Sequence, residues 1–332
     1  MLESPRPVSS EGQAIKPRII AVIITFHPES AHSGPLLRTL LAQAEQVLVI
    51  DNTPGEANVA LKSAIAEQPD SARCELICMQ TNRGIGHAIN VGLVRSLELA
   101  ADFVLLSDQD SLPADDMVAE LLAAHTRLTA AGMPVGAIGP TYHDLYTGLT
   151  YPFQVRIPGR QFYGHRFPSA EEPDVETLTL ITSGTLISAT VARAVGGMRA
   201  DYFIDQVDIE WCHRARAMGY RLYGTGLAHL SQRMGDAKLR VWYLRWRNES
   251  LYSPTRIYYR VRNFVGLWKL DYIDWRWKIR STWYSLGVVF AHCLFAERDN
   301  LAYLSYAIRG LWHGLRNRMG PIDTGGPPAR TN

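Results

Sequence analysis

The chain reads as an α/β protein built on a parallel sheet with helices on both faces, and three features point there. Short Ile- and Val-rich runs recur at residues 18–26, 46–50, 74–80 and 103–107. Stretches of helical period lie between them, at 35–44, about 56–67 and 86–100. Each apolar run ends on a polar or turn-forming cluster. Nearly continuous apolar runs are the pattern of strands covered on both faces, and regular strand–helix alternation brings such strands parallel. Residues 46–50 stop at Asp51-Asn52-Thr53-Pro54-Gly55, a dense turn signal. Beyond residue 140 the alternation lapses. Residues 142–173, rich in Gly, Pro and aromatics, read as loop, and 178–188 as a strand broken by Ser183-Gly184. Residues 209–218 read as a helix ending at Gly219, followed by short strands through Tyr223 and His229. The division expected is a flexible tail over 1–17, the α/β domain over 18–237, a basic, aromatic, helical region over 238–320 and a second tail over 321–332.

Composition narrows the function. Of 332 residues, 47% are apolar and 20% charged, as in globular proteins, and the formal net charge is only +2. An obligate nucleic-acid binder would be more basic, so no nucleic-acid partner is expected. The charge is uneven, however: residues 238–280 hold eleven Lys or Arg against three acids. Four cysteines are too few for a disulfide framework and fit a reduced, cytoplasmic compartment. Cys74 and Cys78 read as small core residues within a strand. No apolar run opens the chain as a secretory signal would, and none is long enough to span a bilayer.

In parallel sheets of this kind, ligands bind beyond the carboxyl ends of the strands. The candidate residues are therefore Thr25, Asp51-Asn52, Asn82-Arg83-Gly84 and Asp108-Gln109-Asp110. Asp108 and Asp110, one residue apart at a strand end, repel each other unless a cation is present. A hard divalent ion takes oxygen ligands from one or two carboxylates plus substrate phosphate; a helix cap or turn is the plainer use of the same residues. Asp51 can accept from a nucleobase N–H or a ribose hydroxyl, or close an Asx-turn. The Asn82–Gly86 turn suits an anion at a helix start, but Ile89 stands where a dinucleotide fingerprint needs its third glycine. Asp205, Asp208 and Glu210 cluster before a helix, where one of them could be a general base. His229 could be a metal ligand or simply a hydrogen-bonded histidine.

Together these motifs resemble the family 2 glycosyltransferases of the GT-A fold, most closely their rhamnosyltransferase branch. The resemblance runs in order over about residues 18–265: Val22–Phe26, Val49–Thr53, Asn82–Gly86 with Asn90, Leu106–Ser111, Ser183-Gly184, Phe203-Ile204-Asp205 to Asp208, and Tyr259–Asn263. It implies a GT-A type, Rossmann-like mixed sheet flanked by helices, with a C-terminal helical extension. It further implies that Asp51 reads the base, that Thr25 and Asn82-Arg83-Gly84 border the nucleotide, and that Asp108 touches the ribose. Asp110 and His229 would hold Mg²⁺ or Mn²⁺, and Asp208 would be the base, with Asp205 and Glu210 as rivals. Ser183, Gly184, Asp205, Glu210 and Arg262 would form the acceptor side or a secondary shell. The implied reaction is an inverting, metal-dependent transfer, most closely of L-rhamnose from dTDP-L-rhamnose to a saccharide or lipid-linked acceptor in cell-surface glycan or glycolipid synthesis. The alternatives are a nucleotide-dependent oxidoreductase and a non-catalytic nucleotide-sugar-binding protein.

The basic segment interleaves its eleven cations with eleven aromatics, including Trp242, Trp246, Trp268, Trp275 and Trp277. Trp and Arg together favour an anionic bilayer surface, so peripheral association with the cytoplasmic face of the inner membrane is expected, with residues 282–296 as an apolar face. A helical layer packed on the sheet is the competing use.

Overall fold

The computed structural model describes residues 16–55, 58–145, 147–157, 159, 163–232, 237–243, 245–296 and 300–322. The two terminal tails expected from the sequence lie almost wholly outside them.

The first half follows the expected alternation. Strands β1 (Ile19–Thr25), β2 (Gln46–Asp51), β3 (Cys74–Cys78) and β4 (Phe103–Asp108) are joined by helices α1 (Ser30–Gln43), α2 (Val59–Ala66) and α3 (Ile85–Glu98). β1 pairs parallel with both β2 and β4, and β2 with β3. Every residue of β1 is buried. Its side chains alternate between two cores, Ile20, Val22 and Ile24 entering one and Ile19, Ala21 and Ile23 the other, as the two-residue period of a strand requires. That explains why the run shows no polar alternation. Helix α1 begins a turn earlier than its Pro35 suggests.

The chain continues through β5 (Leu112–Pro113), α4 (Met117–Ala130), β6 (Val135–Asp144), β7 (Leu149–Thr150), β8 (Phe153–Val155), β9 (Gly164–Arg166) and β10 (Asp174–Thr177). Then come β11 (Leu186–Ser188), α5 (Ala189–Val195), α6 (Val207–Ala217) and β12 (Arg221–Gln232). The main sheet has the order β10-β12-β6-β11-β4-β1-β2-β3. β11 is antiparallel to β4 and β6, while β12 runs parallel to β6. The sheet is therefore mixed. The segment read as loop over 142–173 holds the end of β6 and the short pairs of β7, β8 and β9. Only Leu186–Ser188 of the run 178–188 is strand.

The C-terminal region departs most from expectation. It opens with an antiparallel hairpin, β13 (Ala237–Tyr243) and β14 (Arg245–Leu251), where helix was expected. Helices follow only from α7 (Pro254–Trp268), α8 (Trp275–Phe295) and α9 (Asn300–Leu315). The start of α7 has a local cause: Ser253 Oγ accepts from the Arg256 amide and Pro254 occupies the first turn. Cys74 and Cys78 are half-buried in β3, and burial pushes the Cys74 thiol up to about 11, consistent with a packing role.

Candidate active site

A cleft of about 500 Å³ lies where the carboxyl ends of β1, β2 and β4 meet the turn before α3 and the segment before α6. Thr25, Asn52, Asn82, Gly84, Asp108 and Asp110 line it on one side, and Asp205 and Asp208 on the other.

Hydrogen bonds tie the strand tips together. Asn52 Nδ2 donates to Asn82 Oδ1 at 3.0 Å, and the Arg83 and Gly84 amides donate to Asn52 Oδ1 (3.0 Å) and Asn82 Oδ1 (2.9 Å). Gln109 clamps the tip of β4 to that of β1, accepting from the Phe26 amide at 2.7 Å and donating to the Phe26 carbonyl at 3.1 Å. Asp51 is buried behind Asn52, with Oδ1 accepting from Thr25 Oγ1 and from the amide and hydroxyl of Thr53. It organises the strand tip and does not line the cleft. The Arg83 side chain is exposed.

Glycines bring the two halves of the cleft together. Gly84 has φ +85°, and a Cβ there would lie 2.5 Å from the Phe203 carbonyl oxygen; one on Gly86 would lie 2.8 Å from that of Arg199. These glycines admit protein backbone, which removes the case for a dinucleotide fingerprint. Asn90 grips the same segment, accepting from the Met198 amide at 2.6 Å and donating to its carbonyl at 2.9 Å.

The segment that carries the acids is strained. Phe203, Asp205 and Gln206 adopt φ of 67°, 62° and 64°, a region non-glycine residues avoid unless their surroundings impose it. The imposing group is Asn263 of α7, fully buried, whose Nδ2 lies 2.9, 2.8 and 2.8 Å from the carbonyls of Tyr202, Ile204 and Asp205. Arg262, also fully buried, donates to the Tyr202 carbonyl at 2.8 Å and to Asn263 Oδ1. Arg262, expected at the acceptor side or in a secondary shell, has no surface in the cleft and anchors the loop from behind it.

The acids divide by partner. Glu210, expected at the acceptor side, in a secondary shell or as a rival base, is buried off the cleft, bound by Arg214 Nε at 2.9 Å and by the Tyr272 hydroxyl at 2.5 Å, which leaves it only the secondary place. Asp205 forms a two-point ion pair with Arg256, at 2.9 and 3.3 Å. Asp208, on the first turn of α6, takes the Ile209 amide on Oδ1 at 2.8 Å and lines the cleft. Burial, opposed by backbone amides and reinforced by Asp205, pushes its carboxyl up to about 6. Across the cleft, burial and then the charges of Asp110 and Asp208 push Asp108 up to about 7. Ser183 is buried and holds the Asp108 amide at 3.1 Å while contacting Ser111 Oγ, so it acts through Asp108. Gly184, φ +77°, packs its bare Cα on Pro140 behind that contact.

His229 is exposed on β12 and does not line the cleft, contrary to expectation. Gln232, three residues on, emerges from the opposite face of the strand, lines the cleft, and has a buried Oε1 with no hydrogen-bond partner among the described residues. No group of three or more His, Cys, Asp or Glu that could hold a metal occurs among those residues. Gln232, Tyr252 and Arg256 line the cleft from outside the motifs read in the sequence, and Arg260 from within the Tyr259–Asn263 motif, where it was given no role. The spacing of Arg256 and Arg260, one helical turn apart after a capped start, is the signal that places both on one face of α7.

A sheet reversed at β11, strand tips bearing an Asp-Gln-Asp, and a facing carboxylate at a helix start give the chain a fold of the GT-A type. Comparison with known proteins agrees. The chain is 29% identical over 303 residues, 91% of its length and 97% of the relative's, to the dTDP-rhamnosyl transferase RfbF of Shigella flexneri. Its fold is similar to that of a mannosyltransferase from Pyrobaculum calidifontis solved with GDP-Man and Mn²⁺ (TM-score 0.55, 14% identity, 95% of this chain and 92% of that one). It is also similar to S. aureus TarS (TM-score 0.54, 14% identity, 90% of this chain), of which it spans 49%. No family model matches the chain.

Proposed function

We propose that the protein transfers L-rhamnose from dTDP-L-rhamnose to an acceptor hydroxyl with inversion, using a divalent cation, Mg²⁺ or Mn²⁺. The observation that carries this reading is Asp208, a carboxylate raised toward neutrality on the cleft wall facing the Asp108–Asp110 pair. A rhamnosyl transferase aligned over nearly its whole length supports the choice of donor.

The site chemistry fits a cation. The charge of Asp110 raises the cost of ionising Asp108, a repulsion that a divalent ion relieves. With too few carboxylates for a closed protein cage, donor phosphate oxygens would complete the ligand set. When bound, the ion supplies positive charge against the departing diphosphate. Asp110, with Asp108 beside it, would hold it.

The remaining steps belong to the chain's own residues. Asp208 accepts the proton of the acceptor hydroxyl as its oxygen bonds to the anomeric carbon. The bond from that carbon to the diphosphate oxygen breaks, its electron pair leaving on dTDP. Displacement from the face opposite the leaving group inverts the anomeric centre. General-base assistance of this kind is worth about 10²–10⁴-fold. Arg256, held on Asp205, and Arg260 add positive charge to the same wall.

The reading includes peripheral attachment to an anionic membrane surface. No helix among the described residues is long and apolar enough to cross a membrane. Helices α8 and α9 nevertheless expose Trp283, Leu286, Phe290, Leu294, Leu301, Leu304, Ile308, Leu311 and Trp312. These recur every three or four residues and form stripes suited to an interface.

Thermal-shift titration of nucleotide-sugars with Mn²⁺ tests the donor. Selective stabilisation by dTDP-L-rhamnose is expected over dTDP-glucose and UDP-sugars; equal stabilisation by all of them would refute the assignment.

A further inference from the structure

One buried side-chain oxygen on the Asp108–Asp110 side of the cleft is left unsatisfied by the fold. Gln232 lines the cleft and is only 6% exposed, and its Oε1 is buried with no hydrogen-bond partner among the described residues. A buried amide oxygen is destabilising unless something supplies its partner. Gln206 Oε1 is a second such atom in the cleft, but it belongs to the facing wall, two residues before Asp208.

Strand register puts Gln232 beside the acids. β12 pairs antiparallel with β5, Leu230 opposite Pro113 and Ser231 opposite Leu112. One further step along the two chains sets Gln232 opposite Ser111, the residue after Asp110, and side chains so opposed start about 5 Å apart. On the other side β12 pairs with β6, where Gln232 faces Asp144 and its carbonyl accepts from the Leu145 amide at 2.9 Å. Backbone held from both sides fixes the point from which the amide reaches. No His or Cys among the described residues lines the cleft, so its donors near the acids are oxygens. Hard divalent ions accept carboxylate and amide carbonyl oxygens alike. A neutral amide adds a ligand without adding a third negative charge against the diphosphate of the donor.

We propose that Gln232 Oε1 is a direct ligand of the divalent cation, joining Asp110 and the neighbouring Asp108 in an all-oxygen protein set in which His229 takes no part. The proposal rests on the metal-dependent reading of Asp108 and Asp110 and names a further protein atom of that site. It also sets the class of ion. Carboxylate and carbonyl oxygens suit Mg²⁺ and Mn²⁺, whereas an imidazole in the same place would draw Ni²⁺ and Zn²⁺. The missing partner of Oε1 is then the ion itself, and donor phosphate oxygens fill the positions that remain.

The test follows Mn²⁺ bound to the full chain in saturating dTDP, by continuous-wave and pulsed electron paramagnetic resonance. The wild type is expected to show no nitrogen bonded directly to the ion. Gln232→Ala should bind Mn²⁺ at least about ten-fold more weakly, and Gln232→Glu, which restores an oxygen, should recover most of that loss. Gln232→His should introduce a directly bonded nitrogen and raise affinity for Ni²⁺ relative to Mg²⁺ by at least about ten-fold. A bonded nitrogen in the wild type, none in a folded Gln232→His protein, or unchanged Mn²⁺ affinity in Gln232→Ala would overturn the proposal. Unchanged Mn²⁺ affinity joined to weaker dTDP-L-rhamnose binding would assign Oε1 to a sugar hydroxyl and overturn it too. Mn²⁺ binding that survives Asp110→Asn would overturn the cation site of the proposed function, and the place of Gln232 in it. Metal binding as expected, with no preference for dTDP-L-rhamnose over other nucleotide-sugars, would support Gln232 and count against the donor assignment alone.

Discussion

Asp208 lines two adjoining cavities, the strand-tip cleft and a second of about 580 Å³, that are built in opposite ways. The first cleft is made of strand tips whose side chains bond mainly to one another: Asn52 to Asn82, Gln109 to the Phe26 backbone, Asp51 to Thr25 and Thr53. The second cavity is walled by α7, α8 and the β6–β9 region, with two arginines, Arg260 and Arg280, that lack acidic partners among the described residues. A network that satisfies itself fixes geometry for one constant ligand. Cations without counter-charges leave part of the binding site to be completed by the ligand. The contrast predicts that changes on the first side abolish chemistry, whereas changes on the second redirect it.

The sharpest way to break this contrast is at the cation. Asp110→Asn, or chelation of the wild type, should lower kcat by about 10³-fold, the several kcal/mol expected of lost charge neutralisation. Comparable loss from Arg280→Ala would erase the distinction. Next is the anchor behind the acids. Asn263→Ala leaves the carbonyls of Tyr202, Ile204 and Asp205 without their shared donor and should cost about 3 kcal/mol of stability in denaturant titration. In the folded fraction kcat should fall by about 10–100-fold through misplacement of Asp208.

Acidity gives a third effect, with opposite signs for rate and stability. As the proposed base, Asp208 must be a carboxylate, so kcat should fall as pH drops below about 6, the value to which burial raises it. Asp108, raised to about 7 chiefly by burial, lies above its unfolded value. Its contribution to stability is therefore complete in acid and is lost as pH rises through 7. Without metal, the advantage of Asp108→Asn over the wild type in Tm should grow by roughly 5 °C between pH 5 and pH 8, and Mn²⁺ should shrink it. The smallest catalytic effect belongs to the exposed stripes. The Trp283→Ser, Trp312→Ser double variant should lose at least about ten-fold in partition to anionic vesicles, while turnover of a soluble acceptor stays within about two-fold.

The same contrast governs what was legible in the sequence. Strand tips follow strand–helix alternation, so the pattern of apolar runs by itself assigns Thr25, Asn82, Gly84, Asp108 and Asp110 to one edge of the sheet. Partners distant in sequence leave no such mark. Nothing near Glu210 announces the Tyr272 hydroxyl, and nothing near Arg262 announces the carbonyls it holds. His229 and Gln232 differ by face, and the irregular register between Thr225 and His229 hides which of them turns inward. The hairpin of β13 and β14 is masked differently. Its Lys-Leu-Arg-Val alternation over 238–241 has the two-residue period of a strand, but the basic and aromatic composition of the segment suggests helix. The pairs within 142–173 are two or three residues long, too short to display a period.

The most direct measurement compares the wild type with Asp208→Asn, taking dTDP-L-rhamnose affinity by calorimetry in Mn²⁺ and rhamnosyl transfer on the same samples. The result expected is donor affinity within about two-fold and transfer lowered by at least about 10²-fold. Transfer that survives in the variant would contradict the account, because no other acid lining both cavities is available among the described residues to take the acceptor proton.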